Sequence, residues 1–347
     1  MSSMIARVGI ERRPLRFADA ALAAWIAILA GVTVYGAATT TGFLTVSNMK
    51  AILTAASFVG IIAVGLTVIV LSGNLFSLAL GQTAAISAMV FLYSLRFGLA
   101  AAILLTLVLG LAIGAVQGFV VGAWGANPII VTIGAAGLME GLAVWLSHGQ
   151  SIIPPVDETS WEHLANPVLG LPAPVYVFIA VTIVLAVVMA RTRFGRQIYL
   201  LGENRVAARA AALPITLLTI GAFGIASLYT AGSGILIGAT SANASLLLVG
   251  SYTYDAIAAA LVGGNAVTGG RGSIARTAAG AIFIATISDM LLLRGYSTGA
   301  QILVRGIIVV VVVVLTNLRE RSRRAPTRRG FAARAAPSWR RSRSSRS

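Results

Sequence analysis

The chain has 347 residues, of which 58% are hydrophobic and only 10% charged, and its mean hydropathy is +0.91. A water-soluble globular domain carries about 25% charged residues, so this composition excludes that class. Runs of about 20 apolar residues recur, which is the length of a helix that crosses a ~30 Å hydrocarbon core. They lack the alternation of outer-membrane barrel strands. The sequence therefore predicts an all-α, polytopic transmembrane helical bundle.

The formal charge of +16 comes from three stretches: a basic start at 1–19, an island at 191–215 and a tail at 319–347. Lys and Arg concentrate in cytoplasmic segments of membrane proteins, so we expect all three in the cytoplasm. The loop 148–172 carries three acids and no Lys or Arg, and it is predicted to lie outside. The Arg-rich tail is predicted to be disordered and to contact anionic membrane lipid rather than nucleic acid.

The predicted membrane domain, residues 20–318, divides into ten spans that agree with this charge distribution. The first is taken as a retained span, because no small-residue cleavage site closes it. Asn127 followed by Pro128 predicts a helix start, with asparagine as the cap and proline in the first turn. The ten predicted spans are 20–40, 51–71, 76–95, 99–122, 127–147, 173–190, 216–238, 252–266, 275–293 and 300–318.

Residues that could hold a metal or perform catalysis are scarce. The chain has no cysteine, and its two histidines, His148 and His163, lie in or beside one loop. A disulfide, a Cys-based metal site and a histidine-built metal centre are therefore not expected, and no cofactor is predicted. The glycine-rich GGNAVTGGRGS at 263–273 is not a phosphate loop, because no Gly-Lys-Ser/Thr follows. HExxH and GxSxG motifs are also missing, which disfavours a membrane-embedded enzyme.

The segment LSGNLFSLALGQ at 71–82 places small and polar residues at membrane depth. Broken backbone is tolerated there only where protein or a water-filled cavity satisfies its amides, so the segment predicts a helix break beside a solute path. A plain interhelical turn is the alternative. The predicted path residues are Asn74, Phe76, Ser77 and Gln82, together with Asn265 of the glycine-rich loop.

The basic island contains a compact helix signal. Asn204 is a good N-cap because its side chain accepts from an amide two or three residues on. Val206–Ala212 is rich in alanine, the best helix former, and Pro214 then removes the next donor and stops the helix. A short basic helix between two spans is either a loop kept positive for topology or an element that another protein grips.

Several motifs, in order, resemble those of the permease subunits of ribose-, xylose- and galactose-type ABC sugar importers. The resemblance covers roughly residues 45–316. Gly202-Glu203-Asn204 with Ala207, Ala208 and Arg209, preceded by TRFGR at 192–196, is similar to the family's cytoplasmic signature. Gly73, Asn74, Phe76, Leu78 and Gly81 match its Gly-Asn-x-Phe-Asp-Leu-Ser-Val-Gly motif. YDAIAA at 254–259, followed by glycine pairs and Arg271, resembles a third motif.

The resemblance implies a transport subunit that lies in the inner membrane and has no enzymatic activity of its own. The importer to which it belongs would carry a monosaccharide or a similar small polar solute. It implies three protein partners: an ATPase, an extracytoplasmic solute-binding protein, and a second permease copy or paralogue. The coupling residues that would dock the ATPase are Gly202, Glu203, Asn204, Ala207, Ala208 and Arg209.

This sequence departs from the family pattern at several positions. Ser77 and Ala79 replace an aspartate and a serine, while Glu203 and Ala212 stand where glycine is common. The loss of a glycine at Ala212 is expected to stiffen the turn after the coupling helix without removing the helix.

An ion-coupled secondary transporter is the alternative function. It would need acids deep in the membrane, and the candidates are Glu140, Asp255 and Asp289. Glu140 and Asp255 lie near the ends of their predicted spans, and Asp289 is followed by Arg294. Because few acids lie deep, this alternative is disfavoured, and a structural role is expected for Glu140.

Overall fold

A computed structural model describes residues 31, 33–36, 38–155, 159–246 and 251–324. These residues form a bundle of α-helices with one β-hairpin, whose two strands have two residues each. The predicted all-α class is thus confirmed. The helices are α1 Val46–Leu71, α2 Leu80–Ser94, α3 Leu99–Ala123, α4 Pro128–Ser147, α5 Ala173–Arg191, α6 Arg193–Glu203, α7 Arg205–Ala210, α8 Ile215–Ser241, α9 Tyr252–Val262, α10 Ile274–Leu293 and α11 Thr298–Arg324. The hairpin pairs β1 Pro167–Val168 with β2 Leu171–Pro172, and short 3-10 helices form at Leu95–Phe97 and Ser160–Leu164.

Six of the described helices are long and apolar enough to cross a membrane: α1, α3, α4, α5, α8 and α10. The predicted spans 76–95 and 252–266 are instead shorter helices, α2 with 15 residues and α9 with 11. Most of the predicted span 20–40 lies outside the described residues, and the apolar part of α11 is Thr298–Val312. The total of ten spans therefore stays a prediction.

The two ends of the chain are described only in part. Helix α11 continues to Arg324, beyond the predicted boundary at 319. An apolar helix that is already formed extends readily, because adding a residue is far easier than nucleation. The predicted basic start and the rest of the predicted tail lie outside the described residues.

Helix α1 is the centre of the bundle. Every residue from Ala56 to Leu71 is buried, including Ser57 and Thr67, whose hydroxyls donate to carbonyls of their own helix. A helix that is apolar all round is expected in the middle of a bundle rather than at its surface. Helices α5, α8, α9 and α10 pack around α1 and form the main core with it.

Helix α3 packs closely on α8 through a row of glycines. Gly110, Gly114, Gly118 and Gly122 are spaced four residues apart, so they share one face of α3. A Cβ at Gly114 would collide with the carbonyl oxygen of Phe223 in α8. Small residues let two helix backbones approach within van der Waals contact, which drives helix association in lipid.

In the described part of the chain, the helical path is interrupted before α2 and again at 242–246, ahead of α9. Residues 72–79 run without regular helix, which confirms the break predicted within 71–82. The Gly81 amide donates to the Thr253 hydroxyl at 2.7 Å, so the starts of α2 and α9 meet. The Leu78 amide donates to the Thr132 hydroxyl of α4 at 3.1 Å. Threonine hydroxyls thus satisfy amides that lack a partner in their own helix.

Gly114→Leu should destabilise the bundle by about 1–3 kcal/mol, because the added side chain overpacks the contact between α3 and α8. Gly134→Leu in α4 is the matched control, since no atom lies within 4 Å of a Cβ added there. Thermal unfolding of both variants in lipid nanodiscs measures the difference. Equal midpoints for the two variants would contradict the role of the glycine row.

Candidate functional site

The basic island folds into two helices, α6 and α7, where the sequence predicts one. Thr192 caps α6, with its hydroxyl accepting from the Gly195 amide at 3.2 Å. Phe194, Ile198 and Leu201 are spaced three or four residues apart; the last two belong to the main core and Phe194 packs against it. That amphipathic spacing is the signal from which α6 could have been predicted.

Helix α7 begins at the predicted cap and ends earlier than predicted. The Asn204 side-chain oxygen accepts from the amides of Val206 and Ala207, each at 3.0 Å, which confirms the predicted N-cap. The helix ends at Ala210 because Ala212 has a φ of 54°, the left-handed conformation.

The turn after α7 is a Schellman motif. The Ala212 amide donates to the carbonyl of Arg209 at 3.0 Å, and the Leu213 amide donates to that of Ala208 at 3.1 Å. Glycine is the usual residue at the left-handed position of this motif, because it has no Cβ. Alanine at 212 keeps the motif but holds the backbone in a strained conformation.

The predicted coupling residues divide into an exposed and a buried set. Ala208 is only 4% exposed and belongs to the main core, so its side chain is turned toward the chain's own interior. Val206 is 80% exposed. The other exposed residues of this segment are Glu203, Asn204, Arg205, Ala207, Arg209 and Ala210. The outward surface of α7 therefore combines an apolar residue with two arginines.

Gly202 belongs to a contact that we call the glycine junction, formed by Gly73, Gly202, Gly269 and Gly270. The Gly270 amide donates to the Leu71 carbonyl at 3.0 Å. A Cβ at Gly202 would collide with that carbonyl and lie 2.5 Å from the Gly270 nitrogen, and a Cβ at Gly269 would collide with the Cα of Gly73. The end of α1, the end of α6 and the glycine-rich loop therefore touch through backbone atoms alone.

Asn265 holds the glycine-rich loop and is 2% exposed. Its amide nitrogen donates to the Ala260 carbonyl and to the Thr277 hydroxyl, each at 2.7 Å. Its side-chain oxygen accepts from the Ser273 amide at 2.9 Å. The side chain is thus committed to protein partners.

Tyr199 of α6 also reaches the glycine-rich loop, and its hydroxyl donates to the Gly272 carbonyl at 3.4 Å. Burial raises the pKa of Tyr199, and the positive charge of Arg276 partly opposes that rise. The phenol therefore stays protonated at neutral pH and remains a donor.

Three of the predicted path residues lie in the break before α2. Asn74 is 3% exposed and donates to the Ser72 hydroxyl at 2.8 Å. Phe76 packs against the main core. Ser77 is fully buried, and its hydroxyl has no hydrogen-bond partner among the described residues. The hydrogen bond of Asn74 and the packing of Phe76 therefore stabilise the helix break before α2.

A cavity of about 460 Å³ lies where α2 and α9 begin, against the middle of α4. Its volume falls within the ~300–1,000 Å³ of small-molecule sites. Its lining residues are Leu78, Gln82, Ile133, Ala136, Gly137, Glu140, Thr253 and Tyr254. Of the predicted path residues, Gln82 lines this cavity, while Asn74, Phe76, Ser77 and Asn265 do not.

The cavity also contains polar residues that the sequence did not assign to the path. Glu140 lies in α4, whose bounds agree with the predicted span 127–147, and it lines the cavity together with Gly137. An acid inside a span is itself a signal for a functional site. Thr253 and Tyr254 could be recognised only once the start of α9 was known.

A buried ion pair lies next to the cavity. Arg305 of α11 contacts Asp255 of α9 at 2.5 Å, and the two side chains are 14% and 7% exposed. Gln301 accepts from Arg305 at 3.3 Å, and the Ser251 hydroxyl lies 3.5 Å from the Asp255 carboxylate. The pair therefore fixes the start of α9, which carries two lining residues of the cavity.

Asp289 has a different partner from the one that the sequence suggests. Its carboxylate accepts from the Asn48 side chain at 2.7 Å. Arg294 instead donates to the hydroxyls of Thr39 and Thr40. Two of the three acids that a secondary transporter would need are thus engaged in contacts between helices.

Comparison with known proteins gives consistent results. A family model described as branched-chain amino acid transport system / permease component matches residues 48–313. The chain is 28% identical to the ribose import permease protein of Escherichia coli (strain K12), covering 80% of this chain and 88% of that protein. It is 28% identical to the L-arabinose transport system permease protein of the same strain, covering 81% and 86%.

A third relative is the autoinducer 2 import system permease protein of Enterobacter sp. (strain 638). The identity is 31%, covering 74% of this chain and 80% of that protein. No solved structure is significantly similar to the chain. The residues matched by the family model include the cavity, the glycine junction and α7.

Ala212→Gly should stabilise the protein by about 1 kcal/mol, because glycine adopts the left-handed conformation without a Cβ penalty. Ala211→Gly is the control, since Ala211 has a φ of −82° and should only lose stability on becoming glycine. Thermal unfolding in lipid nanodiscs measures both changes. A lower midpoint for Ala212→Gly than for the wild type would contradict the strain at this turn.

Asp255→Asn should destabilise the bundle by about 3–5 kcal/mol, because it leaves the Arg305 guanidinium buried without its anion. Asp255→Asn combined with Arg305→Gln should lose less than Asp255→Asn alone. Thermal unfolding of the single and double variants gives the coupling between the two residues. Additive losses would show that the ion pair does not hold α9 to α11.

Proposed function

The chain belongs to the family of transport-system permease components, and from that membership we propose that it imports a monosaccharide or a similar small polar solute. It is the multi-pass inner-membrane permease subunit of an ATP-driven, binding-protein-dependent importer. The relatives named for ribose and L-arabinose support a sugar, whereas the family description names branched-chain amino acids. The residues that line the cavity support a sugar over an amino acid.

The composition of the cavity wall is the observation that carries the proposal. Gln82, Glu140, Thr253 and Tyr254 supply hydrogen-bonding groups, and the described lining contains no Lys, Arg or His. Sugar hydroxyls both donate and accept, so they suit amide, carboxylate and hydroxyl groups together. The carboxylate of an amino acid would be better served by a cationic partner.

The proposed orientation places α6 and α7 in the cytoplasm and the 148–172 loop outside, because of the charges of these segments. The proposal also includes a membrane domain that extends over 20–318 and an Arg-rich segment, 319–347, whose positive charge attracts anionic lipid. The hairpin tip at Leu169 is 92% exposed and supports this outer loop as a docking place for the solute-binding protein.

We assign the docking of the ATPase to the outward surface of α7. Val206 is an exposed apolar side chain flanked by Arg205 and Arg209, and such a mixed surface suits a protein interface. ATP hydrolysis belongs to that partner, and the permease supplies the path. Ala208 contributes to docking indirectly, because its buried side chain packs α7 against the main core.

The glycine junction supports a route by which docking reaches the cavity. Gly202 of α6 touches the backbone next to Gly73, and the chain from there runs through 72–79 to the start of α2. Gln82 on the cavity wall follows directly. A movement of α6 is therefore transmitted to one wall of the proposed path through backbone contacts, with no flexible side chain between them.

The open side of the cavity supports a second permease copy or a paralogue as partner. Tyr254 is 68% and Ile133 54% exposed, and Glu140 is exposed beside them. A carboxylate inside a membrane faces a protein interior or water rather than lipid. A second permease that covers this side would enclose a water-filled path between the two subunits.

Val206→Asp should lower ATPase association about tenfold or more, because it places an unpaired charge in an apolar contact. The variant should remain folded, since the side chain is exposed and an acid in the first turn of a helix is favourable. The measurements are co-purification of the ATPase and ATP-dependent uptake of D-ribose into vesicles. Leu169→Asp, at the proposed outer surface, is the control that should keep the ATPase. Unchanged association in Val206→Asp would contradict docking on α7.

A further inference from the structure

Glu140 is the sole charged residue among the described residues that line the cavity. It lies in the same helix as Ala136 and one turn further on, so both face the cavity. Within the described part of the chain, its carboxylate has neither an ion pair nor a hydrogen bond to protein. Its negative charge is therefore available to interact with a solute that enters the cavity.

The groups around the cavity do not cancel this charge. The neighbouring Asp255 and Arg305 form a pair whose charges offset each other. The starts of α2 and α9 carry partial positive charge, but amides there already have partners: those of Leu78 and Gly81 bind threonine hydroxyls, and that of Asp255 binds the Ser251 carbonyl. Asp255 itself lies in the first turn of α9 and opposes the dipole of that helix.

We propose that Glu140 is a specificity-determining residue of the path, which admits neutral, hydroxyl-rich solutes and excludes anionic ones such as sugar phosphates and sugar acids. This inference rests on the proposed function, because it concerns the solute that the importer carries. The two carboxylate oxygens can accept from hydroxyls on adjacent carbons of one sugar. The same charge repels a phosphate or carboxylate, and the repulsion is stronger inside a protein than in bulk water.

The absence of cysteine from the chain allows a direct test of the charge at this place. Ala136→Cys introduces a single thiol one helical turn from Glu140, a separation of about 5–6 Å between Cβ atoms. The full-length variant in proteoliposomes is treated with a cationic reagent, 2-aminoethyl methanethiosulfonate, or an anionic one, 2-sulfonatoethyl methanethiosulfonate. The ratio of the two reaction rates reports the local potential, because the thiolate fraction is common to both.

Glu140→Gln in the Ala136→Cys background should lower the cation-to-anion rate ratio by about tenfold or more, since even water-like screening leaves an effect of that size. Glu140→Asp should keep the high ratio, because it retains the charge and changes only the length. Glu162→Gln, an exposed acid of the outer loop, should leave the ratio unchanged. A low ratio in Glu140→Asp would assign the effect to side-chain size and overturn the proposal.

An unchanged ratio in Glu140→Gln would overturn the proposal as well. Failure of both reagents to modify the thiol of the Ala136→Cys variant that retains Glu140 would show that water does not reach this wall, with the same consequence. None of these readouts needs transport, whereas the proposed function is tested by ATP-dependent uptake. The two ideas can therefore fail separately.

Discussion

An amide inside a membrane needs a hydrogen-bond partner, and this requirement governs the arrangement of the bundle. The chain leaves its helical path before α2 and before α9, where amides would lack carbonyls to bind. At the first of these places, the hydroxyls of Thr132 and Thr253 accept from the amides of Leu78 and Gly81. Because Thr253 belongs to α9, satisfying the start of α2 also brings α9 to it. The cavity lies where these starts meet, so its position follows from the hydrogen bonds.

The sequence predicted the features that depend on neighbouring residues. The cap at Asn204, the start of α4 at Asn127 and the break within 71–82 are each encoded by a few adjacent side chains, and the structure confirms them. The end of α7 differs because Ala212 takes a conformation that alanine rarely adopts. Propensity alone could not indicate it, since the Schellman motif depends on hydrogen bonds formed after the chain turns.

Contacts between distant segments were beyond prediction from the sequence. Asn265 is a polar residue of the kind expected in a solute path, yet its amide binds Thr277 of α10, which lies near it only after folding. Asn74 instead binds Ser72, two residues before it in the chain. Conversely, Thr253 and Tyr254 line the cavity because α9 begins beside it. A polar residue at membrane depth therefore indicates a functional or a structural role equally, and only its partners distinguish the two.

The glycine junction also has a consequence for the evolution of this chain. Its contacts join backbone to backbone, as when the Leu71 carbonyl meets Gly202 and Gly270. A crowded side chain can often be relieved by shortening its neighbour, but here there is no neighbouring side chain to shorten. Each glycine of the junction is thus expected to resist replacement, because no second substitution nearby can make room for a Cβ. Lineages that diversify their solutes would vary the cavity wall and leave the junction unaltered.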